Sequence, residues 1–177
     1  MEPVKIGLLG LGTVGGGTVT VLTRNAAEIA RRAGREIRIA RAAAMQYNPE
    51  IPGLEQIGHI GNDAFAVVDD PEIDIVIELI GGYSPARELV LKAIANGKHV
   101  VTANKALIAR HGNEIFAAAR EQGVVVAFEA AVAGGVPIIK ALREGLAANH
   151  IEWIAGIING TGNFILTEMR DKGRDFG

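Results

Sequence analysis

The sequence predicts an α/β fold, a doubly wound parallel sheet with helices on both faces. Three observations point to it. Short apolar runs rich in β-branched residues alternate with segments whose apolar residues recur at helical spacing. The segments between them are mostly brief, as consecutive βαβ units require. A glycine-rich loop, Gly10 to Gly15, joins the first apolar run to the first helical one.

The elements follow in order. Residues 4–10, "VKIGLLG", form a buried strand. Residues 13–34 carry Val14, Val19, Leu22, Ala26, Ile29 and Ala30 at helical spacing and end on Gly34, a residue that suits a helix terminus. Residues 36–44 alternate and read as strand two. Residues 45–62 are rich in Pro and Gly and read as loop. A short helix is expected within 63–70. The run "IDIVIELI", 73–80, is continuously apolar apart from Asp74 and Glu78, as a central parallel strand is. Glu78, inside that run, is expected to be buried with a hydrogen-bonding role. Ser84-Pro85 reads as an N-cap with proline at the first helical position, opening a helix that runs to Asn96-Gly97.

"KHVVTA", 98–103, is the next strand, and 104–122 is helical with an interruption near Gly112. Residues 124–130 form a strand, 136–146 a helix with Pro137 early, 151–160 a further strand, and 163–173 a helical start. In doubly wound sheets ligands sit beyond the carboxyl ends of the strands, where the strand order reverses. Lys105, Glu129 and Thr161 each follow the end of an expected strand, so one crevice can collect them.

Bulk composition removes whole classes of function. The 177 residues carry a net charge of −2, with 49% hydrophobic and 21% charged residues, an ordinary globular mixture. No basic excess points to nucleic acid. There is no cysteine, so disulfides, thiolate metal sites and thiol nucleophiles are absent. His59, His99, His111 and His150 are scattered without metal-ligand spacing. Apolar stretches are strand-length, so no membrane partner is expected, and the N-terminus lacks a signal-peptide pattern. A cytoplasmic location is the expectation.

The loop "GLGTVG" matches GxGxxG in its required context, strand before and helix after. Gly10 permits the tight turn, Gly12 lets a pyrophosphate approach the backbone, and Gly15 lets helix and strand pack closely. The helix N-terminus then offers N–H groups and a positive dipole end to phosphate. The expected ligand is a nicotinamide dinucleotide in a Rossmann-type site. No acid follows strand two before Glu50, and Arg41 reads equally well as a 2′-phosphate partner or a solvated strand residue. NAD and NADP both stay open.

Lys105 stands at a strand-to-helix junction, where a cation opposes the helix dipole. That cost, accepted at the end of a strand in the expected crevice, favours a group placed to polarise a carbinol oxygen or hold a carboxylate over a solvated turn residue. Glu129 ends an apolar strand beside the Gly-rich turn "AAVAGGVP". It reads equally as the carboxylate of an all-oxygen cation site or as a helix N-terminal acid.

These segments together resemble homoserine dehydrogenase: "GLGTVGGG" (10–17), "ELIGG" (78–82), "GKHVVTANKALIA" (97–109), "FEAAVAGGVPIIKAL" (128–142) and "GIINGTGNFILTEM" (156–169). The resemblance implies NAD(P)-dependent interconversion of L-homoserine and L-aspartate 4-semialdehyde, on the route to threonine and methionine. It places Lys105 between nicotinamide and substrate as the catalytic lysine, and Thr13 and Val14 beside Gly10, Gly12 and Gly15 on the coenzyme. It places substrate contacts on Asn159, Gly160 and Thr161. It places a monovalent cation, usually sodium, on Glu129 with backbone oxygens of Val132, Gly134 and Val136.

It also implies a dinucleotide domain over 1–135, the start of a truncated α+β substrate and dimerisation domain over 136–177, and a homodimer at full length. On that reading the isolated chain is inactive. The segment "MQYN" departs from the family, because many members carry a basic residue there for NADP. Two alternatives stand beside this reading. A glucose-fructose oxidoreductase-like dehydrogenase shares the glycine loop and a "GKHV" strand, but it usually has Glu-Lys-Pro where this chain has Asn104-Lys105-Ala106. A non-catalytic nucleotide-binding module would need the glycine loop alone.

Overall fold

In the computed structural model, which describes residues 2–157 and 159–176, six parallel strands form one sheet. They are β1 (Val4–Leu9), β2 (Ile37–Ala43), β3 (His59–Gly61), β4 (Ile75–Glu78), β5 (His99–Thr102) and β6 (Val126–Ala127). Their order is β3-β2-β1-β4-β5-β6, and every neighbouring pair is parallel. The chain moves outward from β1 to β3, returns, and moves outward on the other side from β4. The reversal leaves a crevice beyond the carboxyl ends of β1 and β4. The α/β doubly wound class read from the sequence is the architecture observed.

The chain divides into two compact units, Met1–Ile139 and Lys140–Gly177. In the first, β1 is buried on both faces, and successive side chains serve opposite layers. Leu9 joins Val67, Val76, Leu89, Val100 and Leu107 on one side. Leu8 joins Ile6, Leu11, Val19, Ile39 and Ala42 on the other. The first layer is roofed by α3 (Ala64–Val68), α4 (Ala86–Ala95) and α5 (Lys105–Gln122). α1 (Thr13–Arg24) contributes Val19 to the second, and α2 (Ala26–Ala33) follows it.

Several boundaries differ from expectation. The helix expected over 13–34 is two helices meeting at Asn25, closed by Gly34 in the left-handed region at φ 73°. The loop at 45–62 contains β3, which pairs with Arg41 to Ala43 of β2. Ser84 is not the N-cap of α4. That position falls on Pro85, and no side chain caps the helix. α5 runs unbroken through Gly112, which is buried where a larger residue would press on Phe116. The strand expected over 124–130 shrinks to Val126–Ala127, because Glu129–Ala131 turns into a 3-10 helix.

Residues 136–146 yield only the single turn α6 (Ile138–Lys140), continued by the wider-wound Ala141–Gly145. The second unit ends in α7 (Gly160–Lys172). Its expected strand over 151–160 is not formed across 151–157, and Ile158 lies outside the described residues. Trp153, Ile154 and Ile157 are exposed there, and an extended segment without a pairing neighbour has no ladder to join. No helix among the described residues is long and apolar enough to cross a membrane.

Candidate functional site

The glycine loop follows β1 at the strand-order reversal. Gly10 adopts φ 96°, and a Cβ there would sit 2.8 Å from the Leu79 carbonyl oxygen. A Cβ on Gly15 would overlap the Gly10 carbonyl. Both positions therefore require glycine, one for backbone conformation and one for close packing. Gly12 is different. A Cβ there meets nothing within 4 Å, so the space above it is open to a ligand. Gly12 is the N-cap of α1, and the first helical hydrogen bond runs from Gly16 N–H to its carbonyl at 2.8 Å. The N–H groups of Thr13, Val14 and Gly15 precede that bond at the positive end of the helix dipole. A cradle that glycine keeps open, with N–H groups at its floor, fits a pyrophosphate.

A cavity of ≈540 Å³ lies between the first turns of α1 and residues 46–52. Arg41 is turned to other work: its Nε lies 2.6 Å from Asp70 Oδ2. Arg41 on β2 is thus ion-paired with a carboxylate of the loop between α3 and β4.

The carboxyl ends of β4 and β5 are tied together by a buried polar network. Register places Glu78 opposite Thr102. Glu78 is fully enclosed. Its Oε2 accepts from the Thr102 hydroxyl at 2.7 Å, and its Oε1 accepts from Ile80 N–H at 2.9 Å and Gly81 N–H at 3.2 Å. Thr102 Oγ1 accepts Asn104 N–H at 3.0 Å. The Asn104 side chain donates to the Gly82 carbonyl at 2.7 Å and accepts from Leu107 N–H at 3.1 Å, capping α5. Both loops at this end of the crevice are thus fixed to one carboxylate.

Lys105 is the first residue of α5, exposed, directly after that cap. The junction is rigid and its lysine is solvent-facing, which suits a group that must meet a ligand. The sequence reading placed Glu78 correctly as a buried hydrogen-bonding acid but missed Thr102 and Asn104. Two signals mark them: a polar residue ending a buried strand beside an acid, and an asparagine just before an apolar helical repeat.

Glu129 begins the short 3-10 turn after β6. Its Oε1 accepts Ile139 N–H at 2.8 Å, at the start of α6. The turn between them places Ala133 and Gly134 consecutively in the left-handed region, φ 55° and 59°. The Val136 carbonyl accepts Ile138 N–H at 2.8 Å. No group of three acidic or histidine side chains suited to a metal occurs among the described residues. In the second unit Asn159 caps α7, its Oδ1 accepting Gly162 N–H at 2.7 Å, and Gly160 and Thr161 form the exposed first turn.

Known proteins match this chain over most of its length. A model of the homoserine dehydrogenase NAD-binding domain matches residues 10–129, and a homoserine dehydrogenase model matches 137–177. The homoserine dehydrogenase of Pseudomonas aeruginosa is 70% identical over 176 residues, covering 99% of this chain and 40% of that protein. The crystal structure of a homoserine dehydrogenase from Thiobacillus denitrificans aligns with a TM-score of 0.90 at 70% identity, over 98% of this chain and 40% of that one. A hyperthermophilic archaeal homoserine dehydrogenase in complex with NADPH aligns at 0.78 and 26% identity, over 98% of this chain and 58% of that one. This chain spans about 40% of the length of the curated relatives it matches.

Proposed function

This chain belongs to the homoserine dehydrogenase family, and on that premise we propose that it carries the coenzyme half of an NAD(P)-dependent oxidoreductase interconverting L-homoserine and L-aspartate 4-semialdehyde. The observation that carries the proposal is the glycine cradle at the strand-order reversal, open at Gly12 and floored by the N–H groups of α1. The NADPH complex of the archaeal relative supports a nicotinamide dinucleotide as the ligand. The glucose-fructose oxidoreductase-like alternative finds no support among these matches.

The coenzyme supplies hydride transfer to and from the carbinol carbon. The chain supplies the rest. Gly10, Gly12, Thr13, Val14 and Gly15 hold the pyrophosphate. Lys105, presented by the Asn104 cap, places its ammonium against the reacting oxygen and the nicotinamide side of the coenzyme. Asn159, Gly160 and Thr161 contact the substrate. Glu129 and the carbonyls of Val132, Gly134 and Val136 hold one sodium ion. A single carboxylate beside a turn of two left-handed residues supports a weakly charged, all-oxygen monovalent site better than a calcium cage. The domain division proposed is 1–135 for the coenzyme and 136–177 for the start of a substrate and dimerisation domain, in a cytoplasmic homodimer serving threonine and methionine synthesis.

The test is calorimetric titration of the chain with NADH and NADPH, alongside homoserine-dependent reduction of NAD and NADP by the full-length protein. Coenzyme binding that disappears in Gly12→Val, with homoserine-dependent turnover at full length, supports the reading. Unchanged titration in Gly12→Val removes the glycine loop from the site.

A further inference from the structure

In this fold the adenosine ribose lies beyond the end of the second strand, where an acid binds a free 2′-hydroxyl and an arginine accommodates a 2′-phosphate. β2 ends at Ala43 and is followed by Ala44-Met45-Gln46-Tyr47-Asn48-Pro49-Glu50, which contains no lysine or arginine. The cavity beside the glycine loop is lined on this side by Gln46, Tyr47, Asn48 and Glu50. Among the described residues lining it, Glu50 is the one charged side chain. Its backbone is fixed, because Glu50 N–H donates to Asn48 Oδ1 at 2.9 Å and Ile51 N–H donates to the Asn48 carbonyl at 3.3 Å. Arg41, the arginine nearest the end of β2, is held by Asp70.

We propose that this site selects a dinucleotide whose adenosine ribose carries a free 2′-hydroxyl, NAD in preference to NADP, and that Glu50 sets the preference. The inference rests on the dinucleotide reading above and adds the choice between the two coenzymes. A phosphate monoester carries about −1.5 to −2 charges at neutral pH. Placed in this cavity it meets a carboxylate and no cation, so it loses hydration without gaining a partner. A hydroxyl has the opposite fortune: the Glu50 carboxylate accepts its proton, and the amides of Gln46 and Asn48 offer donors and acceptors. Glu50 is solvent-exposed, so the repulsion is screened by salt and the preference is graded rather than absolute.

The experiment is titration of the chain with NADH and with NADPH at low and high ionic strength, repeated on Glu50→Gln and Glu50→Lys. Glu50 lies on an exposed turn, so both variants fold, which circular dichroism checks. NADH binds about two- to fivefold tighter than NADPH at low salt, the size of one exposed charge interaction. Salt narrows the gap, Glu50→Gln narrows it, and Glu50→Lys reverses it. NADPH binding as tightly as NADH in the unaltered chain overturns the proposal, and so does a Glu50→Lys variant with an unchanged ratio. Binding of neither coenzyme overturns the dinucleotide reading and this preference with it, whereas the reverse order overturns the preference alone.

Discussion

Among the described residues the first unit buries one charged side chain at each end of its sheet, and the two are opposites. At the carboxyl end Glu78 accepts three hydrogen bonds, from Ile80 N–H, Gly81 N–H and the Thr102 hydroxyl. At the amino end Lys98, 4% exposed, donates to the carbonyls of Asp70 at 2.5 Å and Ile73 at 2.9 Å. Each charge is matched to backbone groups of the other polarity, which is what makes its burial tolerable. A cavity accompanies each: ≈540 Å³ beside the glycine loop, and ≈650 Å³ at the amino end, lined by Lys98, Asn96, Gly97 and Asp74.

The larger cavity is the less plausible site for a phosphate-bearing ligand. Helix α4 ends there and presents carbonyls, whereas α1 begins at the other and presents N–H groups. Polarity of the surrounding backbone, and not volume, distinguishes a dinucleotide site from a gap between loops.

Two lysines sharpen the contrast most. Lys105→Ala at full length is expected to cut homoserine turnover by about 10²–10⁴-fold, the range for a group acting on the reacting proton, with no loss of thermal stability. A loss under about threefold would return Lys105 to a solvated helix start. Glu78→Leu acts on the scaffold behind it. It leaves two N–H groups and a hydroxyl without their acceptor, at roughly 3 kcal/mol or more in urea unfolding. It also weakens coenzyme binding, because both loops of the crevice lose their anchor. Glu78→Gln keeps the acceptor for Ile80 and Gly81 but turns a donor towards Thr102, at a cost of about 1 kcal/mol. Equal destabilisation by the two variants would mean that the charge and the bond from Thr102, which both variants lose, carry the whole effect, and the bonds to Ile80 and Gly81 none.

Lys98→Met keeps the apolar stem and removes the two bonds to carbonyls. The expected cost is about 1–3 kcal/mol, with coenzyme affinity unchanged. Burial pushes the Lys98 amine below its ordinary value of 10.5, against the pull of Asp70 and Asp74. Between that lowered value and 10.5 the unfolded chain holds more protons than the native one, so the contribution of Lys98 to stability grows as pH rises. The stability gap between the unaltered chain and Lys98→Met should therefore widen on the alkaline side. A gap that narrows there would refute the burial argument, and a drop in coenzyme affinity would show that the two ends are coupled.

How much of this was legible beforehand follows from what each feature depends on. The sheet and its helices were readable because β1, β4 and β5 announce themselves by apolar runs and the glycine loop by spacing. Glu78 was readable as buried because it interrupts an apolar strand. The cap that Asn104 makes to Leu107 is local, and its signal, an asparagine before an apolar helical repeat, was overlooked. Thr102 was not paired with Glu78, since that bond depends on β4 and β5 lying in register, a long-range pairing. Arg41 stayed ambiguous for the same reason, its partner Asp70 being 29 positions away, 70 − 41. The strand expected over 151–160 failed because alternation describes a surface that needs a neighbour, and within 151–157 none is paired.

The smallest effect lies again at the amino end, in the exposed cluster around Asp69, the residue that closes α3. Its carboxylate accepts from Lys92 Nζ at 2.6 Å and from Asn96 Nδ2 at 3.0 Å, and Lys92 also rests over the Phe65 ring at 5.4 Å. The hydrogen bond from Lys92, then that from Asn96, holds the Asp69 carboxyl below its ordinary range. A carboxyl with a lowered native pKa contributes stability that is present above its unfolded value of about 3.9 and is lost as pH falls through the native value. Asp69→Asn cannot titrate and lacks that contribution. The two proteins should differ slightly in melting temperature near neutrality and converge as pH falls through the lowered native value of Asp69. Because the pair is solvent-exposed, added salt should shrink the neutral difference as well. A difference that persists unchanged in acid would assign the effect of Asp69→Asn to the closing turn of α3, with no part played by the charge that Lys92 meets.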